Sequence, residues 1–193
     1  FAIMNEGTVE AEDITLEGQS GIVGHSGTLD ASSADGDGGT VRVLGEKVAL
    51  FEDARIDASG ATGGGDIFVG GGFQGNDPAL RNAEATFVSA GTQLKADALE
   101  SGDGGEVIVW ADGTTRFYGE IFARGGVLGG DGGFAEVSGK EHLDYRGYSF
   151  LNAPLGSTGT LLLDPTEIFV VAGTAAPVDG AFDGSMPDDF FRP

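Results

Sequence analysis

The chain has 193 residues, which suits one sizeable domain or a segment of a larger repeat protein, and 36 of them are glycine. Its 10 Lys and Arg residues against 31 Asp and Glu residues give a formal net charge of −21, which repels nucleic acid and anionic membranes. Without cysteine it can form neither disulfides nor a thiolate metal site. No apolar run reaches the roughly 18 residues of a membrane span. Because the first residue is Phe1 rather than Met, we expect a processed product or an excised piece.

The first 24 residues predict three short entry strands. Apolar and polar side chains alternate at 7–11 and 14–18, and a shorter apolar run follows at 21–24. Such alternation is typical of half-buried strands.

After this entry, a glycine turn leads repeatedly into a short apolar strand. The copies lie at 38–43, 64–69, 104–109, 132–137 and 157–163, at steps of 26, 40, 28 and 26 residues. Each repeat also contains an apolar-x-Ala strand, at 29–31, 56–58, 94–96, 121–123 and 150–153. A third short strand recurs at 48–50, 115–118, 143–145 and 168–170. Three short strands per repeat predict one coil of a parallel β-helix, with glycine at corners where a tight bend needs positive φ.

Stacking places equivalent positions of successive coils in columns, and neighbouring residues of a column lie about 4.8 Å apart. One inward column is predicted for Val41, Ile67, Val107, Ala135 and Leu161. A second is predicted for Val43, Val69, Val109, Val137 and Leu163. Small residues are predicted where the interior narrows, at Ala31, Ala58, Ala96, Ala123 and Ala153.

The 40-residue step predicts a coil with a loop insertion at about 71–90. The outward column of the glycine-led strands is Arg42, Phe68, Ile108, Glu136 and Leu162, and Trp110 lies two residues beyond Ile108. Exposed, these apolar side chains would form a sticky patch, so we expect the insertion, the C-terminal tail or a neighbouring subunit to cover them. Phe68, Ile108, Trp110 and Leu162 are therefore candidate interaction residues.

The repeat pattern stops after residue 171, so the β-helix is assigned to 1–171 and an irregular tail to 172–193. The main large apolar residues of the tail are Phe182, Phe190 and Phe191. Two interpretations stay open: a linker to a following segment, or a docking segment that seals a core end or engages another subunit.

Aspartates beside the turn glycines raise the question of calcium. They are Asp35, Asp37, Asp103 and Asp131. One or two carboxylates per turn fall short of the six to eight oxygen ligands of calcium, and aspartate is common in turns for its own hydrogen bonding. We therefore expect no cofactor, with calcium at these turns as the alternative.

Two further carboxylates, Asp30 and Asp57, are predicted to share a column, as paired carboxylates do in glycoside hydrolases. The column continues with Lys95, Phe122 and Asn152, and its positions point outward beside a turn. We expect solvated turn carboxylates rather than an active site.

The two histidines, His25 and His142, fall in different parts of the coil. Neither has a neighbouring serine or carboxylate that suggests a catalytic triad. We therefore expect that the chain is not an enzyme.

Four consecutive motifs carry a resemblance to a known family: GGEVIVWAD at 104–112, TTRFYG at 114–119, GGFAEVSGK at 132–140 and GTLLLDP at 159–165. This succession closely resembles the large exoproteins of the filamentous haemagglutinin type, which are substrates of two-partner secretion in Gram-negative bacteria. The resemblance covers about residues 25–170.

The resemblance implies a right-handed parallel β-helix, export through a dedicated outer-membrane transporter, and a location outside the cell or at its surface. Compared with that family, we expect this chain to be much shorter and to lack the N-terminal secretion domain.

The sequence thus predicts an extracellular structural or adhesive β-helix module that presents an elongated surface for adhesion or scaffolding, and it names no particular host or matrix surface. One alternative is a filament subunit that stacks head to tail through its coil ends and tail. A second alternative is a β-helix polysaccharide lyase or hydrolase.

Overall fold

The structure is a computed structural model that describes residues 1–166. The described part is all-β apart from one short 3-10 helix, Phe73–Gly75, and its strands form three parallel six-stranded sheets. Sheet A contains β1 (Ile3–Asn5), β4 (Ile22–His25), β7 (Lys47–Leu50), β10 (Ala85–Val88), β13 (Thr114–Phe117) and β16 (His142–Tyr145). Sheet B contains β2 (Thr8–Glu10), β5 (Thr28–Asp30), β8 (Arg55–Asp57), β11 (Gln93–Lys95), β14 (Glu120–Phe122) and β17 (Tyr148–Phe150). Sheet C contains β3 (Asp13–Glu17), β6 (Thr40–Leu44), β9 (Asp66–Val69), β12 (Glu106–Ala111), β15 (Phe134–Gly139) and β18 (Thr160–Leu162).

The chain passes through sheets A, B and C in turn, and each pass is one coil of a right-handed parallel β-helix. This confirms the predicted fold class of three short strands per coil. The predicted strand at 168–170 and the tail at 172–193 lie outside the described residues.

The predicted inward columns of sheet C are confirmed by the strand register. Val41 pairs with Ile67, which pairs with Val107, and the column continues through Ala135 to Leu161. The first four are fully buried, whereas Leu161 is 37% exposed because β18 pairs only with β15 in the described part. Val43, Val69, Val109 and Val137 form the second column and are fully buried.

The column of small residues holds for four of its five predicted members, which are buried: Ala31, Ala58, Ala96 and Ala123. The fifth prediction, Ala153, is wrong, because Leu151 occupies that place. Its carbonyl accepts a hydrogen bond from Gly159 N–H at 2.7 Å, as the Ala123 carbonyl accepts one from Gly133 N–H at 2.8 Å. Alignment of Ala153 with Ala123 therefore shifted this strand by two residues relative to the hydrogen-bond register.

The corner glycines are required for a different reason from the one predicted. Gly104 and Gly105 do not have positive φ. A Cβ at Gly104 would lie 2.2 Å from the Ala123 carbonyl oxygen, and one at Gly105 would lie 1.9 Å from the Gly65 carbonyl oxygen. Backbone packs directly on backbone at this corner, and any side chain there would push successive coils apart.

Candidate interaction surfaces

The insertion occupies residues 70–84, between β9 and β10, and folds over the outer face of sheet C. It is shorter than the predicted 71–90, because residues 85–88 form β10 and belong to the coil. We call residues 70–84 the covering loop.

The covering loop lies directly on Trp110. Gly75 has a φ of +62°, and a Cβ there would be 2.6 Å from the indole ring. The indole Nε1–H donates to Asp112 Oδ1 at 3.0 Å, and Asn82 Nδ2 donates to the same oxygen at 3.1 Å and to the Gly75 carbonyl at 2.9 Å. These contacts leave Trp110 only 4% exposed.

A buried carboxylate anchors the same loop to β15. Glu136 is fully buried, and its Oε2 accepts a hydrogen bond from Gln74 N–H at 3.0 Å, while its Oε1 has no hydrogen-bond partner among residues 1–166. Burial raises the pKa of Glu136, and the Gln74 hydrogen bond partly opposes that rise. The Phe73 ring packs edge-on against Phe134 at 5.8 Å between centroids.

Two more carboxylates lie on sheet C near this anchor. Asp66 and Glu106 are register partners on β9 and β12. Burial raises the pKa of both, and the charges of Asp66 and Glu136 raise that of Glu106 further, while Arg42 lowers that of Asp66. Within residues 1–166 there is no group of three or more His, Asp or Glu side chains that could hold a metal ion.

These contacts determine how far the candidate interaction residues on sheet C are exposed. Of the three predicted covers, the structure shows the insertion. Trp110 is buried against the covering loop, and Ile108 is fully buried on the same strand. That these two residues form an interaction surface stays a prediction. Phe68 and Leu162 are half-buried. Phe182, Phe190 and Phe191 lie outside the described residues.

The turn aspartates connect successive coils. Asp103 Oδ1 accepts Asp131 N–H at 2.7 Å, and Asp131 Oδ1 accepts Ser157 N–H at 2.7 Å. Asp37 Oδ1 accepts a threonine hydroxyl of the next coil at 2.6 Å, and Asp35 is exposed. Each bonded carboxylate therefore satisfies a polar group in the following coil, a role that the sequence analysis missed although the recurring aspartate beside the glycine pair was its signal.

Asp30 and Asp57 are register partners, as predicted. Each accepts a hydrogen bond from the backbone N–H two residues further on, at 2.9 Å in both cases. The column ends differently from the prediction, because Phe150 and not Asn152 pairs with Phe122.

His25 lies in the interior and not in a site. Asn5 Nδ2 lies 3.1 Å from His25 Nδ1, which accepts its hydrogen, and His25 Nε2 donates to the Arg55 carbonyl at 3.3 Å. Both ring nitrogens of a neutral imidazole are thus satisfied, and burial lowers the pKa of His25. His142 is exposed at the start of β16.

An aromatic strip runs along the outer side of sheet A, with one ring from each of four coils. Its rings are Phe1, Phe51, Phe87 and Tyr118, with successive centroids 6.0, 6.3 and 5.9 Å apart. Gly24 makes room for the first of them, because a Cβ there would be 3.0 Å from the Phe1 ring. These four residues are called the aromatic strip.

A second aromatic group lies on the outer face of sheet B. Phe122 and Phe150 stack with centroids 4.9 Å apart and planes 12° apart, and the Tyr148 ring is 6.5 Å from Phe150. Tyr148 is 66% exposed and Phe150 is 39% exposed. Arg124, whose Nη2 lies 2.7 Å from Asp97 Oδ2, covers the Phe122 ring at 5.2 Å.

An open cleft of about 430 Å³ lies between the two aromatic groups, lined by Ala90, Tyr118, Glu120, Arg146 and Tyr148. We call it the tyrosine cleft. The cleft was not predicted from the sequence, because the outward column considered there belongs to sheet C. The signal was present, since aromatic residues take outward positions in β14 and β17.

Comparison with known proteins shows a likeness to a solved structure but none to a family model or a curated sequence. No protein-family model matches the chain, and no curated protein sequence matches it significantly. Among solved structures it is similar to the crystal structure of the HMW1 secretion domain from Haemophilus influenzae, with a TM-score of 0.65 and 26% sequence identity. The match covers 81% of this chain and 43% of that domain, so the chain spans less than half of the domain's length.

This likeness agrees with the β-helix fold and relates the chain to a secretion domain. It runs against our expectation that the chain falls outside such a domain. Within the described residues no helix is long and apolar enough to cross a membrane.

Proposed function

We propose that this chain is a β-helical segment of a secreted exoprotein of the filamentous haemagglutinin type, exported by two-partner secretion from a Gram-negative bacterium. The observation that carries the proposal is the likeness to the HMW1 secretion domain over 81% of the chain. The four ordered motifs at 104–165 support the same family.

The partner during export is then an outer-membrane two-partner-secretion transporter. Because the matched structure is a secretion domain, we extend the proposal to a direct part in export for residues 1–166. Outside the cell, the stack of coils presents an elongated surface for adhesion or scaffolding, in the manner of other β-solenoids.

The export proposal is tested in cells that make the full-length precursor carrying an epitope tag, with and without its transporter. We expect the tag outside the cell only when the transporter is present. A precursor that stays inside despite a functional transporter would contradict the proposal. Deletion of residues 1–166 then tests whether this segment takes part in export or is passive cargo. Release is abolished if the segment takes part in export and continues if it is cargo.

A second candidate is a filament subunit that associates end to end. It is favoured by the two ends of the described stack, where β1, β2 and β3 at one end and β16, β17 and β18 at the other are paired on one side only. Unpaired strand edges template the addition of further strands. Negative-stain microscopy of the purified chain at high concentration tests this, and a monodisperse monomer would contradict it.

We also propose that the chain is not an enzyme. The paired carboxylates Asp30 and Asp57 are engaged in local turn hydrogen bonds, which supports a structural role for them. Incubation with a panel of polysaccharides, with and without calcium, tests this. Release of a cleaved product would contradict the proposal and favour a β-helix lyase or hydrolase.

A further inference from the structure

We propose that the tyrosine cleft and the aromatic strip bind a neutral, linear oligosaccharide or polysaccharide. This inference rests on the proposed adhesive role and names its class of ligand. It depends on ring exposure, on the polar groups of the cleft, and on charge.

One aromatic ring is open to a ligand at the cleft. Tyr148 is 66% exposed, whereas Tyr118 is half-buried and has the Arg146 guanidinium over its ring. The face of an aromatic ring is electronegative. The flatter faces of sugar rings present C–H groups of partial positive charge, so an exposed tyrosine face favours stacking with a sugar.

A hydrogen-bond acceptor and a hydrogen-bond donor are held in place beside these rings. Glu120 Oε2 accepts a hydrogen bond from Gln93 Nε2 at 3.0 Å, which orients the carboxylate and leaves its other oxygen able to accept. Arg146 Nε donates to Asp144 Oδ1 at 2.8 Å, and its guanidinium carbon lies 5.7 Å from the Tyr118 ring centre. Sugar hydroxyls donate and accept at once, so an oriented acceptor and an oriented donor beside a ring suit them.

Charge selects a neutral ligand. The chain carries a formal charge of −21, which repels polyanions such as sulfated or uronic-acid glycans. A cationic ligand is disfavoured at the cleft because Arg146 repels it. The Arg146 guanidinium already lies over the Tyr118 ring, in the position that a bound cation would take.

The aromatic strip favours an extended ligand over a single sugar. Its four rings follow the axis of the helix with centroids about 6 Å apart and end at the tyrosine cleft. Successive sugar units of a linear chain can therefore meet successive rings. The covering loop lies over sheet C and leaves this side of the described residues open.

Calorimetric titration of the purified chain with three neutral hexasaccharides tests the proposal: cellohexaose, mannohexaose and maltohexaose. Hexagalacturonate serves as the charged comparison. We expect at least one neutral hexasaccharide to bind, with an affinity that does not change with salt. Tyr148→Ala should weaken binding by about threefold to tenfold, the usual worth of an aromatic contact, while Tyr148→Phe should retain it because the ring remains.

Phe73→Ala is the matched control, because Phe73 is an exposed aromatic residue on the covering loop, away from the cleft. The proposal is overturned if no neutral hexasaccharide binds at millimolar concentration, if hexagalacturonate binds better, or if Phe73→Ala weakens binding as much as Tyr148→Ala. Such a result would leave transporter-dependent export intact, since export is measured separately in cells.

Discussion

The outer faces of sheets C and B both carry large apolar side chains, but within residues 1–166 the first lies under the covering loop while the second stays open. On sheet C the covering loop buries Ile108 and Trp110 completely or nearly so. On sheet B, Tyr148 and Phe150 remain open to solvent. Exposed apolar patches often mark binding surfaces, so we expect sheet C to matter most for stability, and we propose ligand binding on sheets A and B.

The largest expected effect comes from emptying the covered face. Ile108→Ala removes a fully buried side chain between β12 and the covering loop and should lower the free energy of unfolding by about 2–5 kcal/mol. Urea unfolding followed by circular dichroism measures it. A loss below 1 kcal/mol would mean that the loop does not pack on this face in solution.

A smaller loss is expected from Gly75→Ala. Alanine at a φ of +62° is strained, and its Cβ would overlap the Trp110 ring at 2.6 Å, so we expect a loss of about 2–4 kcal/mol in unfolding free energy. Gly129→Ala is the matched control, because Gly129 also has positive φ, +142°, but nothing lies within 4 Å of its Cβ position. Equal losses for the two variants would contradict the contact with Trp110.

The pH dependence of stability should differ between two buried groups. Burial raises the pKa of Glu136, so its contribution weakens as the pH rises from about 4.5 through the raised value. The Glu136→Gln variant should therefore gain stability relative to the wild type as the pH rises towards 7. Urea unfolding of both proteins between pH 4.5 and 7.5 tests this, and a constant difference would contradict it.

His25 has the opposite sign. Burial lowers the pKa of His25, so the stability that it contributes is complete above its unfolded value near 6.5 and is lost as the pH falls below it. The loss should approach about 1.4 kcal/mol per pH unit until the folded pKa is reached. His25→Leu, which matches Leu50 in the next coil, should remove this dependence. If the variant keeps the same acid sensitivity, the assignment to His25 is wrong.

The smallest effect is expected on the open face. Tyr148→Ala should change the unfolding free energy by no more than about 0.5 kcal/mol, because the side chain is 66% exposed. The same urea series measures it. A loss close to that of Ile108→Ala would remove the distinction between the two faces.

The features of the fold that follow from the sequence repeat could be predicted from the sequence. Columns such as Val41, Ile67 and Val107 follow from the recurrence of glycine turns and alternating strands, because parallel stacking requires like positions to coincide. Register failed where the pattern was degenerate, as at Leu151, because only the hydrogen bonds between coils fix it there.

The site depends on contacts between residues that no period relates. Gly75 lies on Trp110, and Gln74 binds Glu136 from 62 positions away. The tyrosine cleft likewise joins Tyr118 of one coil to Tyr148 of the next across a corner. The pairing of such residues is set by how the loop and corners fold, which single-sequence patterns do not contain.

The difference between the two faces depends most directly on whether the covering loop closes over sheet C. Trp110 is the chain's single tryptophan, so its fluorescence reports on that face alone. Acrylamide quenching of the folded protein should be weak and its emission blue-shifted, and both should change to those of an exposed indole when residues 70–84 are replaced by a short glycine linker. Strong quenching in the unaltered protein would contradict the account.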